Sequence, residues 1–131
     1  MSELHERTAL ELHQSLQRGE VSPVDLATHY LERVERLNPE VGAFVEVTGE
    51  RALERARQVE REVPRSRPLW GLPLGDKDLQ QRAGVPARFG SRAFADFVPD
   101  ASDDLVQAVD AAGAVSLGKT ATPEFGLPSY T

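Results

Sequence analysis

Two lysines, Lys77 and Lys119, are the residues whose type and surroundings most suggest a chemical role. They are the only lysines in 131 residues, whereas thirteen of the fifteen basic residues are arginine. Arginine and lysine serve a solvated surface almost equally well, but only lysine readily loses its proton when it is buried. A general preference for arginine accounts for the thirteen arginines. It leaves unexplained the two lysines, which both lie in short, glycine-flanked segments.

Lys77 lies between Asp76 and Asp78 in a segment with the character of a short strand. Side chains alternate between the two faces of a strand, so we expect Lys77 on one face and both aspartates on the other. A surface ion pair is one interpretation. A general base is another, because desolvation lowers the pKa of lysine and leaves a neutral amine. The two carboxylates oppose the second interpretation by favouring the charged lysine, and the residues alone leave both open.

Lys119 lies in a segment, Gly113 to Thr120, that matches the phosphate-binding loop pattern G-x-x-x-x-G-K-[ST]. Such a loop follows a strand and opens a helix, so that backbone amides converge on the phosphate. Here the order is inverted, because a predicted helix precedes Gly113 and the next four residues are strand-like. We therefore predict that Gly113 ends a helix. The alternative role for Lys119 is structural, at a strand end, pairing with an acid or capping carbonyl groups.

The other side chains of the sequence do not predict a reaction centre. The three histidines lie in the predicted helical part without the spacing of metal ligands, and no G-x-S-x-G motif is present. The absence of cysteine excludes a disulfide scaffold, a thiolate zinc site and a cysteine nucleophile. We predict no metal and no cofactor.

Charge and hydropathy narrow the class of partner. The net charge of −6 argues against nucleic acid or an anionic membrane as the main partner. No segment approaches the roughly 18 apolar residues of a membrane span, and the N-terminal residues include acids instead of the apolar core of a signal peptide. The sequence predicts a cytoplasmic protein and leaves the oligomeric state open.

The periodicity of apolar residues predicts an α/β fold. Capping residues open two of the helices, at Thr8 and at Ser22-Pro23, and Asn38-Pro39 is predicted to end the second helix. A strand, a crossover containing a helix capped by Ser102, and a second apolar strand predict a parallel pair. The predicted helices are 8–18, 22–38, 50–62 and 102–112, and the predicted strands are 43–48, 74–79 and 114–117.

We predict a single incomplete domain over residues 1–131. Residues 1–63 form a mainly helical lead-in, residues 64–73 form a proline-rich connection, and residues 74–131 begin an α/β core. A parallel sheet needs cover on both faces, which these few strands and helices do not supply. The sequence is therefore interpreted as the front portion of a larger domain.

The sequence resembles the amidase signature family over nearly all of its length. These serine hydrolases include peptide amidases, fatty acid amide hydrolases and the A subunit of aminoacyl-tRNA amidotransferases. The resemblance is carried by GLPLGDKDL, by AGVPARFGSRAF and by the run DDLVQAVDAAGAVSLGKTATPEFGLPSYT, which begin at Gly71, Ala83 and Asp103. Departures are Gly75-Asp76, where an apolar pair is usual, and Ala121, where asparagine is frequent.

The resemblance implies a mixed sheet with covering helices and a serine nucleophile activated through a second serine and a lysine base. Carried over by position, that lysine is Lys77. Both serines of the family lie beyond Thr131, so the implied activity is cleavage of a carbon–nitrogen bond in a carboxamide by the complete protein. The 131 residues alone are predicted to be inactive.

Two other functions remain open at this stage. One is the A subunit of a glutamine-dependent aminoacyl-tRNA amidotransferase, which would work only together with a partner protein. The other is a non-catalytic remnant or binding module.

Overall fold

The computed structural model of the protein describes residues 3–131, which form an α/β fold of four helices and three strands together with three short 3-10 helices. The helices are α1 (Ala9–Arg18), α2 (Pro23–Val41), α3 (Gly49–Glu62) and α4 (Asp104–Ala111). The strands are β1 (Phe44–Val47), β2 (Pro73–Lys77) and β3 (Val115–Thr120), and the 3-10 helices are Leu4–Glu6, Arg92–Phe94 and Glu124–Gly126.

The three strands form one mixed sheet in the order β1-β3-β2. Strand β2 is parallel to β3, as the sequence predicts, and β1 is antiparallel to β3. The central strand, β3, is buried along almost its whole length because it lies between the other two and against α3. The register places Asp76 beside Lys119 and Lys77 beside Thr120. Lys77 and Lys119 thus lie on two adjacent strands.

The hydrophobic core lies between the sheet and the first three helices. Leu16, Leu26 and Val59 from the helices meet Val115 from β3 and the indole of Trp70. The buried indole nitrogen of Trp70 donates to the carbonyl oxygens of Val59 and Val63, at 3.2 and 2.9 Å. These two hydrogen bonds attach the irregular proline-rich connection to the end of α3.

The second helix extends past its predicted end. Pro39 lies inside α2, and the helix ends at Gly42 in the left-handed conformation, so the prediction that Asn38-Pro39 ends the helix is wrong. A proline in the last turn removes a single backbone hydrogen bond at a position close to the helix end. The Asn38 side chain also bridges to the backbone of Phe44, with N···O distances of 2.7 and 2.9 Å.

Three other boundaries differ from the sequence prediction. Strand β2 ends at Lys77 and not at Leu79, because the chain turns there and the amide of Gln80 donates to the carbonyl oxygen of Lys77 at 2.8 Å. Asp103, not Ser102, caps α4, because its carboxylate accepts from the amide of Val106 at 3.0 Å while the Ser102 hydroxyl accepts from the amide of Ala83. Strand β3 continues to Thr120, beyond the predicted end at Leu117, because β1 pairs with Gly118 and Lys119.

Gly118 permits a close approach between β1 and β3. Its φ of +150° is unfavourable for other residues, and a β-carbon at this position would overlap the carbonyl oxygen of Glu46. We expect Gly118→Ala to lower the free energy of unfolding by about 3 kcal/mol or more, because a backbone oxygen cannot rotate away. Gly19→Ala is the control: Gly19 is also left-handed but has no atom near the new carbon, so the cost is about 1 kcal/mol.

The measurement is urea denaturation followed by the fluorescence of Trp70, the only tryptophan. Equal losses in the two variants would contradict the close approach of β1 to β3.

Candidate active site

The centre of the candidate site is the end of strand β2, where Lys77 faces the opposite side from Asp76 in the strand and from Asp78 in the turn that follows. Asp76 and Asp78 keep only 5% and 1% of their surface exposed, whereas Lys77 is exposed. The predicted alternation of the three side chains is therefore confirmed. Two carboxylates in a protein interior require compensation by cations or hydrogen-bond donors.

Asp76 is compensated by the Arg82 guanidinium. Its carboxylate oxygens lie 2.6 and 3.3 Å from Nε and Nη2 of Arg82, and the Ser116 hydroxyl donates to the same carboxylate at 2.8 Å. Arg82 also donates from Nη1 to Asp110 of α4 at 2.7 Å. Burial by itself lowers the pKa of Arg82, but the hydrogen bonds and charges of Asp76 and Asp110 outweigh burial and raise that pKa above its usual value.

Asp78 is compensated by Lys119. The Lys119 side chain is completely buried, its Nζ lies 3.2 Å from Oδ1 of Asp78, and it also donates to the carbonyl oxygen of Gln80. The backbone amide of Arg88 lies 3.2 and 3.3 Å from the two carboxylate oxygens. The structural role for Lys119, pairing with an acid and capping a carbonyl group, is thus observed.

The segment that matches the phosphate-loop pattern is not a phosphate-binding loop. Residues 115–120 form the central strand, and the lysine that would reach a phosphate is enclosed by Asp78 and Gln80. Gly113 follows the end of α4 with a φ of +94°, in agreement with its predicted place at a helix end.

Lys77 has a different environment from Lys119. Within residues 3–131 the Lys77 side chain makes no hydrogen bond and no ion pair, so the surface ion pair considered from the sequence does not form there. The desolvation that a lysine base requires is also not provided by the surrounding described residues, because the side chain is exposed. An exposed amine next to two already compensated carboxylates remains available to a further group.

Two loops beside β2 adopt strained backbone conformations that the sequence did not indicate. Phe89 and Phe125 are the only residues other than glycine with positive φ in residues 3–131, at 53° and 52°. The amide of Phe125 donates to the carbonyl oxygen of Phe89 at 2.8 Å, and the Ser91 hydroxyl donates to Glu124 at 2.7 Å. The amide of Phe89 in turn donates to the carbonyl oxygen of Asp78, so both loops are attached to the end of β2.

Arg82 and Ser116 are the site residues that sequence reasoning missed. The available signal was the departure at Gly75-Asp76, because an acid in place of an apolar residue on a buried strand requires a cation. The structure also explains the glycine: a β-carbon at residue 75 would lie 2.6 Å from Cγ2 of Thr120 and 3.2 Å from the Phe44 ring.

The histidines stay apart from β2 in the structure. His5 and His29 contact each other through Nδ1 and Nε2 at 3.2 Å, and His13 lies in α1. Among residues 3–131, no three His, Cys, Asp or Glu side chains form a group that could hold a metal ion. Over the same range, no helix combines the length and the apolar content needed to cross a bilayer.

Comparison with known proteins assigns the chain to a family. The family model described as Amidase matches residues 25–131, which include every residue of the two ion pairs. The chain belongs to the amidase family. Its α/β fold also matches solved amidases: the peptide amidase from Stenotrophomonas maltophilia superimposes with a TM-score of 0.80 at 33% identity, over 92% of this chain and 26% of that one.

Curated relatives of this amidase chain carry a more specific name. The A subunit of glutamyl-tRNA(Gln) amidotransferase from Rippkaea orientalis is 37% identical over 124 residues, covering 92% of this chain and 26% of that protein. The same protein from Nitratidesulfovibrio vulgaris is 39% identical over 132 residues, covering 100% and 27%. The chain thus spans about a quarter of the length of the relatives it matches.

The different exposure of the two lysines can be tested by chemical labelling. We expect reductive methylation of the folded amidase chain to modify Lys77 and to leave Lys119 unmodified, because Lys119 has no exposed surface. Peptide mass spectrometry measures the modification at each site. Labelling in urea is the control and should modify both lysines, whereas equal labelling of both in the folded chain would contradict the structure.

The buried Asp76–Arg82 pair should contribute strongly to stability. We expect Arg82→Met to lower the free energy of unfolding by about 3–5 kcal/mol, because it leaves the Asp76 carboxylate buried without its cation. Arg57→Met is the matched control: Arg57 forms a 3.5 Å pair with Glu54 on the exposed face of α3, and such pairs contribute about 0–1 kcal/mol.

A double variant separates charge from packing. Adding Asp76→Leu to Arg82→Met should recover much of the loss, because an apolar pair can replace a buried ion pair at little cost. A loss from Arg82→Met as small as that from Arg57→Met, measured by urea denaturation, would refute the importance of the buried pair.

Proposed function

We propose that this chain supplies Lys77 as the base of an amide-hydrolysing site of the Ser-Ser-Lys type. The observation that carries the proposal is the contrast between the two lysines: Lys119 is enclosed by an acid and a carbonyl group, whereas Lys77 has no partner among residues 3–131. The resemblance of the segment GLPLGDKDL to the family pattern also supports the proposal, because it carries the family's lysine over to Lys77, and this segment lies within the matched residues 25–131.

The proposed reaction begins with a neutral Lys77 amine. The amine takes a proton from a bridging serine, which takes the proton of the nucleophilic serine as that oxygen attacks the carbonyl carbon of a carboxamide. The proton returns by the same route to the leaving nitrogen as the carbon–nitrogen bond breaks. Water then cleaves the acyl-serine, and backbone amides stabilise the negative oxygen in both steps.

Lys77 needs a further segment to act in this way. An exposed lysine is almost fully protonated near neutral pH, and removal from water lowers its pKa. We propose that the segment that carries the two serines, which follows Thr131 in the family pattern, also covers Lys77. Residues 1–131 are then part of one larger domain with a small-molecule amide as substrate in the cytoplasm, and the chain alone is inactive.

A second candidate function is that of the A subunit of an amidotransferase. The supporting observation is that curated relatives at 37% and 39% identity are named as the A subunit of glutamyl-tRNA(Gln) amidotransferase. In this function the same Lys77 would serve the release of ammonia from glutamine, and a partner protein would direct the ammonia to a charged tRNA.

Removal of the Lys77 amine tests the proposed base. The protein for the assay joins residues 1–131 to the serine-bearing segment, which the reading frame past the codon for Thr131 should identify as a Gly/Ser-rich stretch. We expect Lys77→Ala to lower kcat for a simple carboxamide by about 10³-fold or more, because general-base catalysis is lost. Lys77→Arg should be equally inactive, since arginine keeps its proton.

The control is Arg57→Ala on the exposed face of α3, which should keep full activity. Residues 1–131 alone should show no turnover. Activity of Lys77→Ala within tenfold of the unchanged protein would rule out Lys77 as the base.

Dependence on a partner distinguishes the two candidate functions. Turnover of carboxamides by the single chain favours the hydrolase. Ammonia release from glutamine that requires copurified partner proteins and a charged tRNA favours the amidotransferase.

A further inference from the structure

The two carboxylates beside Lys77 have their own counter-cations on neighbouring elements. Asp76 pairs with Arg82 at 2.6 Å, and Asp78 pairs with Lys119 at 3.2 Å. All four side chains are at least 92% buried. The buried charges of the two pairs are therefore balanced without Lys77, although Lys77 lies between the two acids in the sequence.

We propose that Lys119 is a positioning residue that neutralises Asp78, so that the carboxylate next to Lys77 does not hold the proton of Lys77. Arg82 does the same for Asp76. This inference rests on the proposed function, because a compensated carboxylate matters most where the neighbouring lysine must become neutral. It also answers the objection that two flanking aspartates would keep Lys77 charged.

The geometry makes Lys119 the dominant partner of Asp78. Lys119 reaches the carboxylate from the adjacent strand and is completely buried, so solvent hardly screens the pair. Lys77 is on the opposite face of β2, where its exposed side chain is solvated. Loss of Lys119 would leave one unbalanced charge, the Asp78 carboxylate, next to Lys77.

The other charged groups packed around β2 have partners of their own. Glu46 of β1 pairs with Arg88 at 3.0 Å, Asp110 of α4 pairs with Arg82, and Glu124 accepts a hydrogen bond from Ser91. Lys119→Met changes none of these contacts, whereas Asp78→Asn also changes an acceptor of the Arg88 amide, which lies 3.2 and 3.3 Å from the Asp78 carboxylate oxygens. The effect of Lys119→Met on Lys77 should therefore have the sign of the charge that is left unbalanced.

The pKa of Lys77 can be measured directly in this chain. Reductive methylation with ¹³C-formaldehyde should label one lysine, because the only other lysine is buried. The carbon chemical shift is then followed by NMR from pH 7 to pH 12. Lys77→Arg identifies the resonance by removing it, and thermal melting establishes that each variant is folded.

The two single variants of the pair should have different effects on the pKa of Lys77. Lys119→Met leaves the Asp78 carboxylate unbalanced and should raise the pKa of Lys77 by about 0.5–1 unit at low salt. Asp78→Asn should leave the pKa of Lys77 within about 0.2 unit of its starting value, because a buried Lys119 without its carboxylate loses its proton before an exposed lysine does. The double variant should also return the pKa to within about 0.2 unit of its starting value, and 0.5 M salt should reduce the shift of Lys119→Met.

A purely structural role for Lys119 predicts no such difference between the variants. No upward shift in folded Lys119→Met, or an equal upward shift in Asp78→Asn or in the double variant, would overturn the proposal. If Lys119→Met does not fold, Lys119→Gln, which keeps a donor for the carbonyl oxygen of Gln80, takes its place with the same expected shift. The titration needs no activity, so the proposal can fail while Lys77 remains the base, and Lys77 can fail as the base while the shift is observed.

Discussion

A carboxylate removed from water must meet a cation or several hydrogen-bond donors, and two carboxylates separated by a single residue are buried at the end of β2, one in the strand and one directly after it. This requirement shapes the elements around the strand. Asp76 needs Arg82 from the loop that follows β2, and Asp78 needs Lys119 from the adjacent strand. The two pairs connect the end of β2 to the loop that follows it and to β3. Lys77 is the one member of the triplet that is left facing outward.

The central strand makes this arrangement possible. Strand β3 contributes Ser116 to Asp76 and Lys119 to Asp78, so each carboxylate meets the same neighbouring strand. Gly118 between them lets β1 approach, and the carboxylate of Glu46 in β1 meets Arg88, whose amide binds Asp78. Contacts that appear local in the sequence are therefore joined across the sheet. A change in one of the two ion pairs should therefore alter the position of the backbone that carries Lys77.

The elements and their order follow from the sequence because apolar periodicity and capping residues are local signals. The alternation around Lys77 and the structural role of Lys119 could also be predicted, since both depend on strand geometry. The partners of Asp76 could not, because Arg82 and Ser116 are 6 and 40 residues away and only the fold brings them together. The strained backbone at Phe89 and Phe125 likewise depends on contact between two distant loops.

Residues 77 and 119 are lysine in a sequence that otherwise uses arginine, and the physical reason differs between the two positions. Lys119 occupies a site with no exposed surface and two acceptors, the Asp78 carboxylate and the Gln80 carbonyl oxygen. A compact ammonium suits that site, whereas a guanidinium would bring five donors, most of them without partners. Lys77 has room for either side chain, so packing does not explain the lysine there. Its proposed chemistry does, because arginine cannot give up its proton and lysine can.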